Sequence, residues 1–366
     1  MSSDSTTTWI SERARELGFG LSGVVRAENF PELASTGEWL EKGYAGEMKY
    51  LSDERRGDLQ QAMPGIRSVI VCALPYNIAH PRTAQAREQI HSADKGNESP
   101  RGWISRYAWG ADYHEVLREK LEILLAGLRA QCPQPFDARI YADTGPVNER
   151  VLAKHAGLGW LGKNTLLLNQ ELGSFFFLGV ILTTLDLQPS LETAEAPPAD
   201  RCGTCRKCLD ACPTQALVEP YVMDARKCIS YLTIELRGEI PVAFREAMGP
   251  HIFGCDICQD VCPWNRDAPV TEAIEFQPRT FDAQRSLFAP NLEWLASLDE
   301  PEFKKLFQGS PIKRTKWRGL VRNACIALGN ASYTGETGVR ERVLTLLSSV
   351  ASSEDSVISE SAQWAV

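Results

Sequence analysis

Two runs of cysteine carry the plainest chemistry in this chain. The first, CGTCRKCLDACPTQA, sets Cys202, Cys205, Cys208 and Cys212 ahead of Pro213. The second, GCDICQDVCPWN, sets Cys255, Cys258 and Cys262 ahead of Pro263, and Cys228 is the one other cysteine nearby. Cysteines clustered this way in a reducing compartment are metal ligands rather than disulfide partners. Four thiolates are the ligand set of one iron–sulfur cluster or one zinc ion, so the first run alone looks like a complete site.

The second run points elsewhere. It repeats the last three positions of the first, CxxCxxxCP, and is one cysteine short. Two such runs have the spacing of a bacterial two-cluster ferredoxin, where the cysteine before the proline serves the other cluster. A short loop aims three sulfurs inward, whereas the pre-proline cysteine lies beyond that loop on a helical turn. Cys202, Cys205, Cys208 and Cys262 are therefore expected to hold one 4Fe–4S cluster, and Cys212, Cys228, Cys255 and Cys258 the other. A pair of zinc sites is the competing reading, but zinc favours two separated CxxC pairs. Two clusters this close in sequence make a one-electron relay.

A relay needs a destination, and the long segment before Arg201 exceeds what a ferredoxin requires. Its most chemical-looking stretch is RIYADTGPVNERVLAKHAGLGWLGKNTLLL, Arg139 to Leu168. Gly157, Gly159 and Gly162 form a nominal GxGxxG. A dinucleotide fingerprint needs a strand before it and a helix after; here a helix leads in and bulky Trp160 sits in the turn. That reading is rejected, and a glycine turn beside another flat cofactor stays open. Asp143 ends a strand ahead of Thr-Gly-Pro. It is either a turn-capping aspartate or, with burial raising its pKa, a general acid.

These groups must be held by the elements around them. WISERAREL (9–17) has helical spacing with a cap among Thr6 to Thr8. SVIVCALPY (68–76), DARIYAD (137–143) and FFFLGVILTTLDL (175–187) read as strands, the first and last buried. YHEVLREKLEILLAGLRA (113–130) and ERVLAKHA (149–156) read as helices. Residues 77–102 are expected to be a long surface loop, and 187–200 a linker. Beyond Ser310 the pattern predicts helices over 313–329, 337–350 and 355–365.

At 366 residues, two or three domains are expected. With 43% hydrophobic and 23% charged residues the composition is that of a soluble globular protein. The N-terminus lacks the pattern of a secretion signal, and the longest apolar run, Phe175 to Leu182, falls far short of the ~20 residues of a membrane span. A cytoplasmic protein without a membrane partner is expected. The net charge of −8 excludes a generally sticky nucleic-acid binder. It leaves room for the basic stretch KKLFQGSPIKRTKWRGLVRN, with Lys313, Arg314, Lys316, Arg318 and Arg322 around Trp317. This stretch is either an RNA contact or a solvated helix face. Cys72, Cys132 and Cys325 are expected to be buried or inert. His80, His91 and His251 carry no partner signal, whereas His114 and His155 are placed either near a site or in packing.

RYAWGADYH, DTGPVNER, AGLGWLGKNT, CGTCRKCLDACPTQA, CISYLTIE and FGCDICQDVCPWN, in this order, resemble the epoxyqueuosine reductase family, which is related to the reductive dehalogenases. The likeness runs over roughly residues 10 to 335. It implies reduction of the epoxide of epoxyqueuosine at a tRNA wobble position to queuosine, electrons passing from two 4Fe–4S clusters to cobalamin. It implies Asp143 as proton donor and Arg56, Arg106, Lys163, Asn164 and Ser230 around the cofactor. It also implies base-off cobalamin without a protein histidine below the cobalt, in keeping with the absence of a DxHxxG motif. In VNER, Asn148 stands where the family more often has leucine.

The implied fold is α+β: a nitroreductase-like α/β cobalamin domain over 1–190, a two-cluster ferredoxin-like domain over 191–275, and a HEAT-like helical tRNA-binding domain over 276–366. The expected partners are the anticodon stem-loop of a tRNA and a reducing protein such as flavodoxin or ferredoxin, with a monomer as the working form. An iron–sulfur electron carrier, a dehalogenase-like cobalamin reductase and a zinc-stabilised RNA-binding protein are the alternatives.

Overall fold

The computed structural model describes residues 3–82, 100–191, 196–283, 285–333 and 337–366. Four strands, β1 (Leu21–Arg26), β2 (Ser68–Pro75), β3 (Ala138–Tyr141) and β4 (Phe176–Thr183), form one sheet. Their order is β1-β2-β4-β3, and every neighbouring pair is antiparallel. The two central strands are buried almost throughout, which is why their sequences are continuous apolar runs rather than alternating ones.

Strand parity sorts the two faces. Ile70, Cys72, Leu74 and Ile181 belong to one apolar cluster with α1 (Ser3–Glu16) and α2 (Tyr113–Gln131). Val69, Val71, Val180 and Leu182 belong to another with Val151 and Leu152 of α3 (Glu149–His155). Helix α2 buries Leu117, Leu121, Leu124, Leu125 and Leu128, an i, i+4, i+7 stripe, and begins at the cap Asp112. Asn148 has a similar reason for replacing leucine: its side-chain oxygen caps α3 by accepting from the Val151 amide at 3.4 Å.

The cysteine-rich region has only short elements, among them Lys207–Ala211, α4 (Ile229–Ile234) and Ile257–Asp260. It is stitched to the sheet half by side chains. Asn265 of the CPWN sequence accepts from the Ser174 amide at 2.7 Å, and Trp103–Ile104 pairs in parallel with His251–Phe253. The C-terminal part contains α5 (Lys316–Gly329), α6 (Thr337–Val350) and α7 (Ser356–Ala365), close to expectation. One apolar core reaches from Ile10 to Ala362, so the tail packs on the body.

Some expectations are corrected. Helix α1 begins at Ser3, so Thr6 to Thr8 lie inside it and do not cap it. Much of the 77–102 loop lies outside the described residues, but Asn77, Ile78 and Gly102 are buried, because the Asn77 amide bonds the Ala268 and Pro269 carbonyls. The short helices Leu292–Ala296 and Glu300–Leu306 were not expected. Among the described residues no helix is long and apolar enough to cross a membrane.

Candidate functional site

A cavity of about 1610 Å³ opens between the sheet and the cysteine-rich region. That exceeds the roughly 300–1,000 Å³ of an ordinary small-molecule site. Its lining includes Asp143, Glu149, Arg150, Tyr107 and Tyr113 together with Cys212, Cys228, Cys255 and Cys258.

The eight clustered cysteines are free thiols that fall into two sets. Cys202 and Cys262 pack in one apolar cluster with Trp160 and Trp264, and Cys228 and Cys255 in another beside α4. Burial pushes the Cys262 thiol up, and its cysteine neighbours are Cys202 and Cys205; Cys208 likewise neighbours Cys262 and Cys202. Burial also raises Cys258, on which Cys228 and Cys212 act more strongly than Cys208. Cys212 thus lies with the later set and Cys262 with the earlier one. Eight converging thiols in two groups of four fit two 4Fe–4S clusters, and only the Cys212 set reaches the cavity wall.

Asp143, also in the lining, sits just past β3 with φ 61°, a left-handed conformation aspartate tolerates better than most residues. Its side chain is 62% exposed, into the cavity. Tyr113 Oη donates to Asp143 Oδ2 at 2.7 Å, and His114 Nε2 lies 3.4 Å from the same oxygen. His114 Nδ1 is 2.7 Å from Asp112 Oδ1, whose other oxygen holds Lys313 Nζ at 2.6 Å.

Charges therefore alternate along Lys313, Asp112, His114 and Asp143. Burial works against the His114 cation, but the two aspartates outweigh it and push its pKa up to about 9. Burial likewise works against the Asp143 carboxylate, yet His114 and Tyr113 hold its pKa below the ordinary value. Near neutrality the pair shares one proton, resting on His114. Tyr113 stacks on Phe177 at 4.3 Å and fixes its own hydroxyl.

The cofactor residues read from the sequence divide in two. Arg56, Asn164 and Ser230 line the cavity. Arg106 and Lys163 are not among the described lining residues. Arg106 is buried with its guanidinium on the carbonyls of Ile78, His80 and Pro81. Lys163 Nζ donates to the Gly203 and Cys205 carbonyls at 2.5 and 3.0 Å, so it clamps the first cysteine loop. The GLGWLG turn has packing reasons: Gly157 has φ +83° just after α3, and a Cβ on Gly159 would lie 2.0 Å from the Leu168 carbonyl oxygen.

The basic stretch is less free than its sequence suggests. Lys313 pairs with Asp112, Arg314 with Glu235 at 2.5 Å and Arg318 with Asp355 at 2.5 Å; Lys316 is exposed. Trp317 donates to the Leu298 carbonyl and packs on the core. Arg322 is the clearest correction. It is fully buried and donates to the Leu232, Leu236 and Gly238 carbonyls, closing the end of α4, so it cannot meet a phosphate. Arg322→Met should cost about 2–4 kcal/mol of unfolding free energy in denaturant titrations, because those carbonyls lose a buried donor. It should leave RNA affinity per folded molecule unchanged; weakened RNA binding at full stability would contradict the placement.

Sequence reasoning missed Tyr107, Tyr113 and Arg150 as cavity residues. ADYH was the one available signal: a capping aspartate followed by tyrosine and histidine at a helix start.

Comparison with known proteins agrees with this geometry. The family model "Epoxyqueuosine reductase QueG, DUF1730" matches residues 56–144, and "4Fe-4S double cluster binding domain" matches residues 201–265. The epoxyqueuosine reductase of Gloeobacter violaceus is 46% identical over 333 residues, covering 88% of this chain and 96% of that protein. A solved epoxyqueuosine reductase with a tRNA-Tyr epoxyqueuosine-modified stem loop superposes with TM-score 0.83 at 30% identity, covering 98% of this chain and 88% of that one. The Bacillus subtilis enzyme, solved with an aspartate-bearing catalytic loop swung out of the active site, gives 0.79 at 29% identity over 98% and 89%. With two cysteine sets, one cavity and these relatives, the chain belongs to the epoxyqueuosine reductase family.

Proposed function

We propose that this protein reduces epoxyqueuosine in the anticodon loop of a tRNA to queuosine. The observation that carries the reading is a large cavity whose lining includes four of the clustered cysteines and Asp143, itself paired with His114. In this reading Cys202, Cys205, Cys208 and Cys262 hold the outer 4Fe–4S cluster, and Cys212, Cys228, Cys255 and Cys258 hold the one next to the cavity. The cavity between would take cobalamin, which when bound supplies low-valent cobalt able to give electrons to the epoxide carbons. Its size supports this.

The chain's own residues supply position and protons. Arg56, Asn164 and Ser230 orient what the cavity holds. The Asp143–His114 pair gives a proton to the departing oxygen, Asp143 as the group in contact and His114 as its reservoir. Residues 1–190, 191–275 and 276–366 act as catalytic, cluster and HEAT-like tRNA-binding portions. Lys316 and the outer faces of Lys313, Arg314 and Arg318 meet phosphate, and a flavodoxin or ferredoxin reduces the monomer in the cytoplasm.

An electron carrier would have no use for such a cavity, which sets that alternative behind. The direct test is an anaerobic assay of iron-loaded protein with cobalamin, a reductant and an epoxyqueuosine stem-loop. Queuosine formation that needs both iron and cobalamin is expected. Turnover without cobalamin, or none with both, would end the reading.

A further inference from the structure

Removing an epoxide oxygen as water breaks two C–O bonds and makes a carbon–carbon double bond. The oxygen gains two O–H bonds, so two electrons and two protons are consumed. The clusters account for the electrons, and the His114–Asp143 pair carries one proton. A second proton needs its own source within the same cavity.

Glu149 is placed to be that source. It is the first residue of α3, and its side chain lines the cavity beside Asp143. Its Oε1 is buried and has no hydrogen-bond partner among the described residues. An ionised carboxylate with a buried, unpartnered oxygen is costly; a neutral carboxylic acid there is not.

The charged groups facing it come from three elements. Asp143 follows β3, Arg56 lies in the Glu54–Gly57 turn, and Arg150 is next on α3. Burial and then the Asp143 charge favour the protonated form and outweigh the hydrogen bond from the residue's own backbone amide and both arginines, putting the pKa at about 7. Arg150 is drawn aside, donating through Nη1 to the Thr165 carbonyl. Two carboxyl groups thus face one cavity, one held ionised and the other held neutral close to neutral pH. Such a split between neighbouring carboxyls sorts acid from base in many active sites.

We propose that Glu149 is the second proton donor, converting the departing epoxide oxygen to water after the Asp143–His114 pair has protonated it once. This rests on the epoxyqueuosine reading. Glu149 lines the chamber in which the substrate oxygen would be released, a side-chain turn would bring its carboxyl from its buried position to that oxygen, and Arg56 is at hand to balance the carboxylate that remains.

The test is the single-turnover rate on an epoxyqueuosine stem-loop as a function of pH, with clusters and cobalamin loaded. The wild-type rate should fall above pH about 7 as Glu149 loses its proton. Glu149→Gln should run about 10²-fold slower at low pH and lack that limb, while Glu149→Asp keeps part of the rate and a limb. Infrared difference spectra of the protein without cofactor give an independent readout. A protonated carboxyl band should disappear above pH about 7 in the wild type and be missing from Glu149→Gln.

A wild-type rate and pH limb in Glu149→Gln would overturn the proposal. So would a loss of cobalamin affinity matching the loss of rate, since Glu149 would then merely hold the cofactor. A wild-type enzyme inactive on the stem-loop would be a separate failure, removing the parent reading and this inference with it.

Discussion

Asp143→Asn is expected to slow single-turnover reduction about 10²–10⁴-fold, the usual contribution of a positioned proton donor. Iron content, cofactor binding and RNA affinity should stay as in the wild type. Asparagine is the right replacement because it is nearly isosteric and also tolerates the left-handed backbone at this position, where φ is 61°. It can still accept from Tyr113 Oη, so the turn and the aromatic wall survive. What it cannot do is receive the His114 proton and pass it on.

The substitution should also be felt at His114. That imidazole owes its pKa of about 9 to hydrogen bonds and charge from Asp112 and then Asp143, working against burial. Removing the Asp143 charge lowers the His114 pKa but leaves Asp112 in place, so an NMR titration should show a smaller upward shift. Full activity in Asp143→Asn would mean that Asp143 only closes the turn. An unmoved His114 titration would mean that the two are not coupled across their 3.4 Å.

Sequence period and cysteine spacing were legible because each is local. The leucine stripe of α2 and the apolar runs of β2 and β4 bury where their periods put them. The expectation that Cys212 belongs with the later set comes from one missing cysteine in GCDICQDVCPWN. Arg106, Lys163 and Arg322 are tied down in ways the sequence did not show, because a cation's partners cannot be read from its neighbours in sequence. Each is consumed by backbone carbonyls far along the chain, those of Arg322 on α4 and the turn after it. The basic stretch misled for the same reason: Asp112, Glu235 and Asp355, its ion partners, come from three other segments. Glu149 stood in plain sight within VNER. Its meaning appeared only once the fold set a second carboxylate beside it and left Oε1 without a donor.

The exchange of cysteines between the two runs gives the other large effect. Replacing any one of the eight by serine should remove one cluster, lowering bound iron by about half and abolishing sustained turnover, since the relay loses a step. The informative result is which variants look alike. If each pre-proline cysteine serves the opposite run, Cys212→Ser should give the same residual electron paramagnetic resonance spectrum as Cys228→Ser, Cys255→Ser and Cys258→Ser. Cys262→Ser should instead match Cys202→Ser, Cys205→Ser and Cys208→Ser.

The two classes should differ in function as well, because only the Cys212 set lines the cavity. In the proposed reading, variants that lose this inner cluster leave a gap between the outer cluster and the cavity, so cobalamin held there should no longer be reduced by a protein donor. Variants that lose the outer cluster keep the last step, and a small chemical reductant reaching the inner cluster should restore reduction. Should Cys212→Ser fall instead into the Cys202 class, each run would hold its own cluster. Cys228 would then complete the second run's set with Cys262, and the packing of Cys262 against Cys202 beside Trp160 would lose its meaning.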